Sequence, residues 1–128
     1  MRPIGILLAA GRGRRMGGGK MLRRLPAPDG RPLVGASFEV LARACDVVVA
    51  VLGGEDAEGV RAVLSRAAAG AGPAVRLEPV TGRPDAPMLA SIRAGLARAA
   101  ALDERAPALV HPGDVPHVAP ATVDAVLA

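Results

Sequence analysis

The residues best suited to chemistry lie in a glycine-rich, cationic loop near the start of the chain. Residues 11–19 contain five glycines and three arginines, and Lys20 follows them directly as the only lysine of the 128 residues. Glycine lets the backbone approach an anion closely and turn its N–H groups toward it, and cationic side chains neutralise phosphate charge. These residue types at this spacing indicate a site for a phosphate-bearing ligand.

The charge of the chain is concentrated in the same part of the sequence. The net charge is +4, but residues 1–31 hold eight cations and one acid, which gives +7, and residues 32–128 carry −3. Such a positive end attracts anionic ligands. With one Phe and no Trp or Tyr, the chain lacks the aromatic side chains on which single-stranded nucleic acids stack. A compact phosphate ligand is therefore favoured, and a nucleic-acid partner is not expected.

A second candidate for chemistry is Asp114, in the turn formed by residues 112–116 (Pro-Gly-Asp-Val-Pro). A carboxylate oxygen is a ligand that Mg²⁺ prefers, but Asp beside Pro is also common in ordinary turns. The turn alone leaves both interpretations open. His111 and His117 flank this turn, and because they form no close ligand pair they are interpreted as turn residues.

The elements around these residues predict an α/β fold. Short apolar runs predict four buried strands, at residues 3–10, 46–52, 75–80 and 108–111. Apolar residues at helical spacing predict the intervening helices, which include residues 57–69, 87–101 and 120–128. This alternation implies a Rossmann-like three-layer α/β/α fold with a mostly parallel sheet. Ligands bind outside the carboxyl ends of such strands, where both the glycine-rich loop and Asp114 emerge.

Two helix faces can be predicted from the spacing of apolar residues. The first helix should bury Val34, Phe38, Leu41 and Cys45. The helix at 87–101 should turn inward Leu89, Ile92, Leu96 and Ala99. Cys45 is accordingly expected to be a core thiol and not a nucleophile. The connection at residues 21–33, rich in Pro and Gly, is expected to be turns or a small hairpin.

Three phosphate-binding patterns can be compared with residues 8–20. The P-loop requires a glycine and a hydroxyl residue where Arg14 and Met21 stand. The dinucleotide pattern requires a third glycine where Met16 stands, and a helix where this chain has a proline-rich connection. The third pattern, Leu-Ala-Ala-Gly-x-Gly/Ser-x-Arg-Met-Gly-x-x-Lys, agrees in residue types and in spacing.

This third pattern resembles the signature of the MobA-like nucleotidyltransferases, and within that family most resembles the molybdenum cofactor cytidylyltransferases. Residues 88–96 are similar to the family segment Met-x-x-Ser-Leu-x-x-Gly-Leu, and residues 111–116 to its Gly-Asp-Met/Gln-Pro turn. The resemblance covers essentially the whole chain. It departs from the family pattern at Thr81-Gly82, where Asn-Pro is usual, and at Pro87, where Gly is usual.

The resemblance implies a fold like that of the nucleotide-diphospho-sugar transferases and an enzyme of molybdenum cofactor biosynthesis. Such an enzyme transfers a nucleoside monophosphate from a Mg²⁺-bound triphosphate to a molybdopterin-type cofactor phosphate and releases pyrophosphate. CTP is the first expectation, because Ala9-Ala10 stands where the guanylyl-type enzymes tend to have Gly-Gly. The resemblance assigns catalysis to Arg15, Lys20 and Asp114, with Asp114 also binding Mg²⁺. It assigns nucleotide binding to Leu8, Ala9, Ala10, Gly11, Gly13, Arg15, Lys20 and Ser91.

Two other functions stay open. One is a shortened module that binds a nucleotide without turnover, and the other is a related nucleotidyltransferase that uses GTP or a sugar-phosphate acceptor. Family members generally run on past this length, so residues 1–128 are expected to form a single nucleotidyltransferase domain that is incomplete at its C-terminus. A lone Cys, no apolar run of about 18–20 residues and no signal-like start predict a soluble cytoplasmic protein without a membrane partner.

Overall fold

The structure is a computed structural model, and it describes residues 2–10, 20–71, 74–83 and 85–128. Four parallel strands form one sheet in the order β3-β2-β1-β4. The strands are β1 (Ile4–Ala9), β2 (Val47–Leu52), β3 (Arg76–Thr81) and β4 (Ala108–Pro112). The predicted parallel sheet is confirmed, with strand bounds that differ from the predicted ones by about one residue.

Helices cover both faces of the sheet. They are α1 (Leu33–Ala42), α2 (Ala57–Gly70), α3 (Met88–Leu102) and α4 (Pro120–Leu127), with a short 3₁₀ helix at Lys20–Leu22. Helices α1 and α2 pack on one face of the sheet and α3 packs on the other, which confirms the three-layer α/β/α fold. Within the described ranges, every helix is too short or too polar to cross a lipid bilayer.

Strand β1 lies inside the sheet, between β2 and β4, and all six of its residues are buried. Successive side chains of a strand point to opposite faces. Leu7 and Ala9 pack with α1 and α2, whereas Ile6 and Leu8 pack on the side of α3. Burial on both faces explains why this strand reads as a continuous apolar run.

The predicted face of the first helix is confirmed. Complete burial, with no exposed surface, is found at Val34, Phe38, Leu41 and Cys45. Cys45 follows the end of α1, and burial raises the pKa of its thiol to about 11. A thiol that stays protonated in an apolar setting is inert, in agreement with the predicted core role.

The predicted face of α3 is wrong in part. Ile92 is partly buried, but Leu89 and Leu96 are 55% and 41% exposed. Ala99 is buried as predicted, but the other buried residues of this helix are the small Ser91 and Gly95, which with Ala99 are spaced by four. A methyl group added at Gly95 would collide with Ile6 of β1. The helix lies so close to the sheet that small residues, and not the large apolar ones, occupy the contact.

The order of the strands reverses beside β1. The chain passes from β1 to β2 and β3 on one side, and then returns to β4 on the other side of β1. The crevice beyond the carboxyl ends of β1 and β4 is therefore the topological switch point, where parallel sheets of this kind bind ligands. The loop that follows β1 and the turn that follows β4 both begin at this crevice.

Candidate functional site

The turn that carries Asp114 is attached directly to the end of β1. The last pair of the β1–β4 ladder is Leu8 with Pro112, and the next residue, Gly113, donates its N–H to the Leu8 carbonyl at 2.8 Å. A methyl group added at Gly113 would lie 2.8 Å from that same oxygen, which is closer than real side chains come. Glycine at this position is what lets Asp114 emerge beside the end of β1.

Lys20 is held at the same crevice by the 3₁₀ helix that it begins. Met21 packs against Gly113, where an added methyl group would lie 3.0 Å from the methionine Sδ. Leu22 packs against Gly59 of α2, where an added methyl group would also lie 3.0 Å from the leucine Cδ1. The two apolar side chains that follow Lys20 thus fix the position of its backbone.

The chain continues from the 3₁₀ helix into a small hairpin. Arg24 and Pro32 form an antiparallel bridge, and the N–H of Leu25 donates to the carbonyl of Arg31 at 2.8 Å. The connection predicted as turns or a hairpin is therefore a hairpin, and it leads directly into α1.

Lys20 and Asp114 meet in an ion pair. The Nζ of Lys20 lies 2.9 Å from the Oδ2 of Asp114, and the two side chains are 37% and 30% exposed. A cation and a carboxylate that the sequence assigned to one site are thus brought together at the switch point. Both keep enough exposure to reach a ligand, and together they offer one group for an anion and one for a cation.

The inner wall of the crevice is made of the last residues of β1 and the first residue beyond it. Leu8, Ala9 and Ala10 are buried, with exposed fractions of 8%, 3% and 2%. Gly82, which follows β3, packs close to Ala10, and its N–H donates to the Leu52 carbonyl at 2.5 Å. Apart from Leu8, the wall is built from Ala and Gly, so no bulky side chain screens its backbone at Ala9, Ala10 and Gly82.

A cavity of about 400 Å³ lies beyond the ends of β2 and β3. Gly53, Gly54 and Gly82 contribute backbone to its lining, and Glu58 and Arg61 contribute charged side chains. This cavity and the β1–β4 crevice lie along the same edge of the sheet.

Ser91 lies in the first turn of α3 and is 8% exposed. It stands one helical turn nearer to the carboxyl edge of the sheet than Gly95, which packs on β1 and β2. Ser91 is therefore on the α3 side of this edge. No contact joins it to the Lys20–Asp114 pair among the contacts of the described residues. The expected positions Gly11, Gly13 and Arg15 lie outside the described residues.

The donor set of the crevice suits one kind of metal ion. Over the described part of the chain, no group of three or more His, Cys, Asp and Glu side chains is arranged to hold a metal. Asp114 therefore offers a single carboxylate, which fits Mg²⁺, since that ion is commonly held by one or two carboxylates together with substrate phosphates. Structural zinc sites need four ligands and catalytic sites three, and this donor set does not match them.

A second charged cluster lies in the middle of β3, away from the crevice. Glu78 is 8% exposed, and its two oxygens pair with Arg98 and with Arg76, the latter at 3.0 Å. The hydrogen bond from Arg98, helped by the charge of Arg76, holds the pKa of Glu78 below its ordinary value of 4.5. Every oxygen of this carboxylate is already engaged, which marks the cluster as part of the packing of α3 on β3.

Sequence reasoning missed two residues that shape the crevice, Gly113 and Met21, and it interpreted His111 as a turn residue without giving its contact. The Nε2 of His111 lies 2.7 Å from the Val115 carbonyl oxygen, across the turn that carries Asp114. The sequence places His111 beside this turn but carries no signal for the direction of its ring. The contact of Met21 with Gly113 joins residues far apart in the chain, so no local pattern announces it.

Comparisons with known proteins bear on the family and the fold of this chain. A family model described as MobA-like NTP transferase domain matches residues 5–128. A crystal structure of Rv0371c from Mycobacterium tuberculosis H37Rv is similar at 32% identity and a TM-score of 0.70, over 99% of this chain and 60% of that one. A comparison with curated protein sequences finds no match.

A second similar structure is that of 4-diphosphocytidyl-2C-methyl-D-erythritol synthase from Anaerococcus prevotii DSM 20548. It shares 21% identity and a TM-score of 0.70, over 98% of this chain and 49% of that one. At this identity the likeness shows the fold alone. The chain thus spans less than two thirds of the length of either neighbour.

Proposed function

Because the chain belongs to the family of MobA-like NTP transferase domains, we propose that it binds a nucleoside triphosphate in the β1–β4 crevice and transfers its nucleotidyl group to a phosphorylated small molecule. The observation that carries the proposal is the 2.9 Å contact of Lys20 with Asp114 at the switch point. It supports a site that takes a polyphosphate and its counter-ion together.

In the proposed reaction, an oxygen of the acceptor phosphate attacks the α-phosphorus of the triphosphate. A new phosphorus–oxygen bond forms in line with the bond to the pyrophosphate, which breaks and leaves its electron pair on the departing oxygen. The work of the protein is to align the groups and to neutralise charge. Lys20 would neutralise charge by facing the phosphates. From the sequence pattern, we propose that Arg15 acts together with it.

The backbone at the end of β1 holds the nucleotide in this proposal. Ala9 and Ala10 have small side chains that keep no phosphate or base away from the backbone there. From the sequence pattern, we propose that Leu8 before them and Gly11 and Gly13 after them take part in holding the nucleotide. Ser91 would reach the ribose or base from the α3 side. The support for this contact is the position of Ser91, a hydroxyl residue that is 8% exposed, near the carboxyl edge of the sheet.

The proposed cofactor is Mg²⁺, which Asp114 would hold together with phosphate oxygens of the substrate. When bound, the ion would draw negative charge away from the α-phosphorus. Asp114 has the type and exposure that such a ligand needs, and its present partner is a single lysine ammonium. That partner would itself move to the phosphates.

We propose CTP as the nucleotide and a molybdopterin-type cofactor phosphate as the acceptor. The support is the Ala9-Ala10 pair at the end of β1 and the agreement of the whole loop with the cytidylyltransferase pattern. GTP, or a sugar phosphate as acceptor, is the nearest alternative. Thr81-Gly82, where the pattern has Asn-Pro, bears on this choice because Gly82 lies against Ala10.

A second candidate function is nucleotide binding without turnover. It is favoured because Asp114 belongs to no group of three or more ligating side chains among the described residues. Transfer of a nucleotidyl group commonly uses more than one metal ligand from the protein. Release of pyrophosphate separates the two functions.

Binding can be tested by thermal unfolding with CTP, GTP, ATP and UTP, each with and without Mg²⁺. A ligand that binds only the folded chain stabilises it by RT ln(1 + [L]/Kd), about 2.7 kcal/mol at a hundred times Kd. The transition must be followed with an extrinsic dye, because the chain has no Trp or Tyr. We expect a Mg²⁺-dependent rise with CTP. Unchanged unfolding with all four nucleotides would contradict the proposal.

The matched variants for this experiment are Lys20→Ala and Arg105→Ala. Each removes one cation, but Arg105 is exposed and precedes β4, at the opposite end of the sheet from the crevice. Lys20→Ala should lose the CTP-dependent rise, and Arg105→Ala should keep it. Equal loss in both would point to non-specific attraction of the anion by the net positive charge.

Transfer can be tested with CTP labelled at the α-phosphate and a panel of acceptors that includes a molybdopterin-type cofactor and sugar phosphates. Label in the acceptor with one equivalent of pyrophosphate supports the transferase. Stabilisation by CTP without pyrophosphate from any acceptor supports the binding module.

A further inference from the structure

We propose that His111 is a positioning residue, which closes the turn that carries Asp114 and so fixes the direction of this carboxylate. The inference rests on the proposed function, in which Asp114 holds the metal ion. It deepens that function by adding a residue that neither touches the nucleotide nor binds the ion.

The first observation is the hydrogen bond of the His111 ring. His111 is a buried residue near the end of β4, 9% exposed. Its Nε2 lies 2.7 Å from the carbonyl oxygen of Val115. A carbonyl can only accept, so Nε2 carries the hydrogen and donates it. This bond spans Asp114 and joins the strand before the turn to the residue after it.

The second observation is that the turn is held at its other end by the backbone of β1. Gly113 donates its N–H to Leu8 at 2.8 Å, so the residue before Asp114 is fixed as well. Asp114 thus lies between two anchors, one on the neighbouring strand and one on the His111 ring. With both anchors in place, the Cα–Cβ bond of Asp114 has a defined direction toward the crevice.

The third observation is that apolar burial contributes little to holding the part of the turn that follows Asp114. Val115 is 40% exposed and His117 is also exposed. Within the turn, the Val115 N–H reaches the Pro112 carbonyl only at a long 3.4 Å. The His111 ring donates a hydrogen bond to a backbone carbonyl of the turn, that of Val115, whereas the Lys20 ammonium contacts only the side chain of Asp114. Its removal leaves the Val115 carbonyl to water and frees Asp114 to rotate.

Outer residues that orient a metal ligand are worth about 10- to 100-fold in metal affinity. We therefore expect His111→Ala to weaken Mn²⁺ binding in the presence of CTP by about tenfold or more. His111→Gln should restore most of the affinity, because the amide Nε2 of glutamine occupies a place similar to the ring Nε2 and also donates. His117→Ala is the matched control, since it removes an exposed histidine from the same loop, and it should bind Mn²⁺ as the wild type does.

The experiment has two readouts on the full chain, Mn²⁺ binding followed by electron paramagnetic resonance and amide hydrogen exchange of residues 113–115. Exchange needs no ligand, so it reports on the turn even if the metal role is wrong. We expect faster exchange in His111→Ala, near wild-type exchange in His111→Gln and no change in His117→Ala. Thermal unfolding of each variant separates this local effect from a loss of the whole fold.

Two results would overturn the proposal, and they differ from each other. If wild type binds Mn²⁺ and CTP, but His111→Ala binds Mn²⁺ equally well or His111→Gln gives no rescue, then His111 does not position Asp114 and the proposed function stands. If wild type binds no Mn²⁺ with any nucleotide, the metal role of Asp114 fails and the positioning role falls with it. Should His111→Ala not fold, the contrast between His111→Gln and His111→Asn, whose amide is shorter, decides in its place.

Discussion

Two charged clusters of this chain use the same chemical groups in opposite ways. Lys20 and Asp114 form one contact at the edge of the sheet, with side chains 37% and 30% exposed. Glu78 sits in the middle of β3 with a side chain only 11% exposed, and two arginines occupy both of its oxygens. The first cluster has room for another partner on each side, and the second has none. A candidate site therefore differs from a structural ion pair in two ways: its charged groups can still bind a further partner, and they lie at a topological switch point.

The comparison has an energetic side. An exposed ion pair is worth about 0–1 kcal/mol, so Lys20 and Asp114 can part at little cost when phosphate and a cation arrive. A carboxylate that is nearly buried depends on its partners, because an unpaired charge in that setting is strongly unfavourable. The crevice pair can therefore exchange its partners, and the β3 cluster cannot do so without loosening α3 from the sheet.

The largest effect that we expect is a loss of nucleotidyl transfer when the Lys20–Asp114 pair is changed, with no such loss when Glu78 is changed. Lys20→Ala and Asp114→Asn should each lower nucleotidyl transfer by at least about 10²-fold, since removal of one charge-stabilising group from an active site has that magnitude. Asn keeps the shape of Asp114 and removes only its charge. Both variants should unfold close to the wild-type temperature, because an exposed pair adds little stability. Activity is measured as label transferred from α-labelled CTP to the acceptor.

The matched control is Arg2→Ala, which opens the exposed pair of Arg2 with Asp46 near the amino ends of the strands. The Arg2 Nε and Asp46 Oδ1 lie 2.9 Å apart, the same separation as in the crevice pair. This variant should transfer at the wild-type rate. Wild-type transfer in Lys20→Ala or in Asp114→Asn would remove that residue from the proposed machinery.

A smaller effect concerns metal binding without a nucleotide. Because the Lys20 ammonium occupies the Asp114 carboxylate, it competes with a cation for the same oxygen. Lys20→Ala should therefore bind Mn²⁺ alone more tightly, by up to about fivefold, which corresponds to the 1 kcal/mol that an exposed pair can contribute. The same variant should lose affinity for CTP. Titration of Mn²⁺ followed by electron paramagnetic resonance measures the change.

The two expected changes in affinity have opposite signs, because Lys20→Ala should bind Mn²⁺ more tightly and CTP more weakly. A lysine that merely held the crevice together would, on removal, weaken both ligands. Weaker or equal Mn²⁺ binding in Lys20→Ala would mean that the Lys20 ammonium does not compete with the metal ion for the Asp114 carboxylate. Arg2→Ala again serves as the control and should leave Mn²⁺ binding unchanged.

The sequence predicts the Lys20–Asp114 site because the position of each residue follows from a local pattern and from the order of parallel strands. Lys20 ends a motif of fixed spacing, and Asp114 follows a strand, so parallel strands alone bring both to one edge of the sheet. The face of α1 is likewise local, because large apolar side chains recur at helical spacing and find a deep core. These features need no knowledge of how closely two elements approach.

The features that the sequence did not predict depend on such distances. Helix α3 lies so near to β1 that Gly95 faces Ile6, and Leu89 and Leu96 are turned outward although their hydrophobicity suggests burial. His111 shows the same limit at the site, because its ring reaches Val115 only through the geometry of the turn. Close approach between elements is a property of the packed molecule, and a hydrophobic pattern does not encode it.

The smallest effect on transfer is expected at Glu78, where the change should appear only in stability. The Arg98 hydrogen bond holds the pKa of Glu78 below 4.5, so the folded chain favours the ionised carboxylate and gains stability at pH values above that point. This gain is lost as the pH falls through the lowered pKa of the folded state.

Glu78→Gln should therefore unfold at a lower temperature than wild type at pH 7, and the difference in unfolding temperature should narrow below about pH 4.5. Glu104→Gln removes one carboxylate at an exposed position after α3, and it should unfold close to the wild-type temperature at pH 7. Both variants should transfer at the wild-type rate at temperatures where they are folded. A loss of transfer in folded Glu78→Gln would show that the β3 cluster acts on the crevice, and the distinction between the two clusters would then fail.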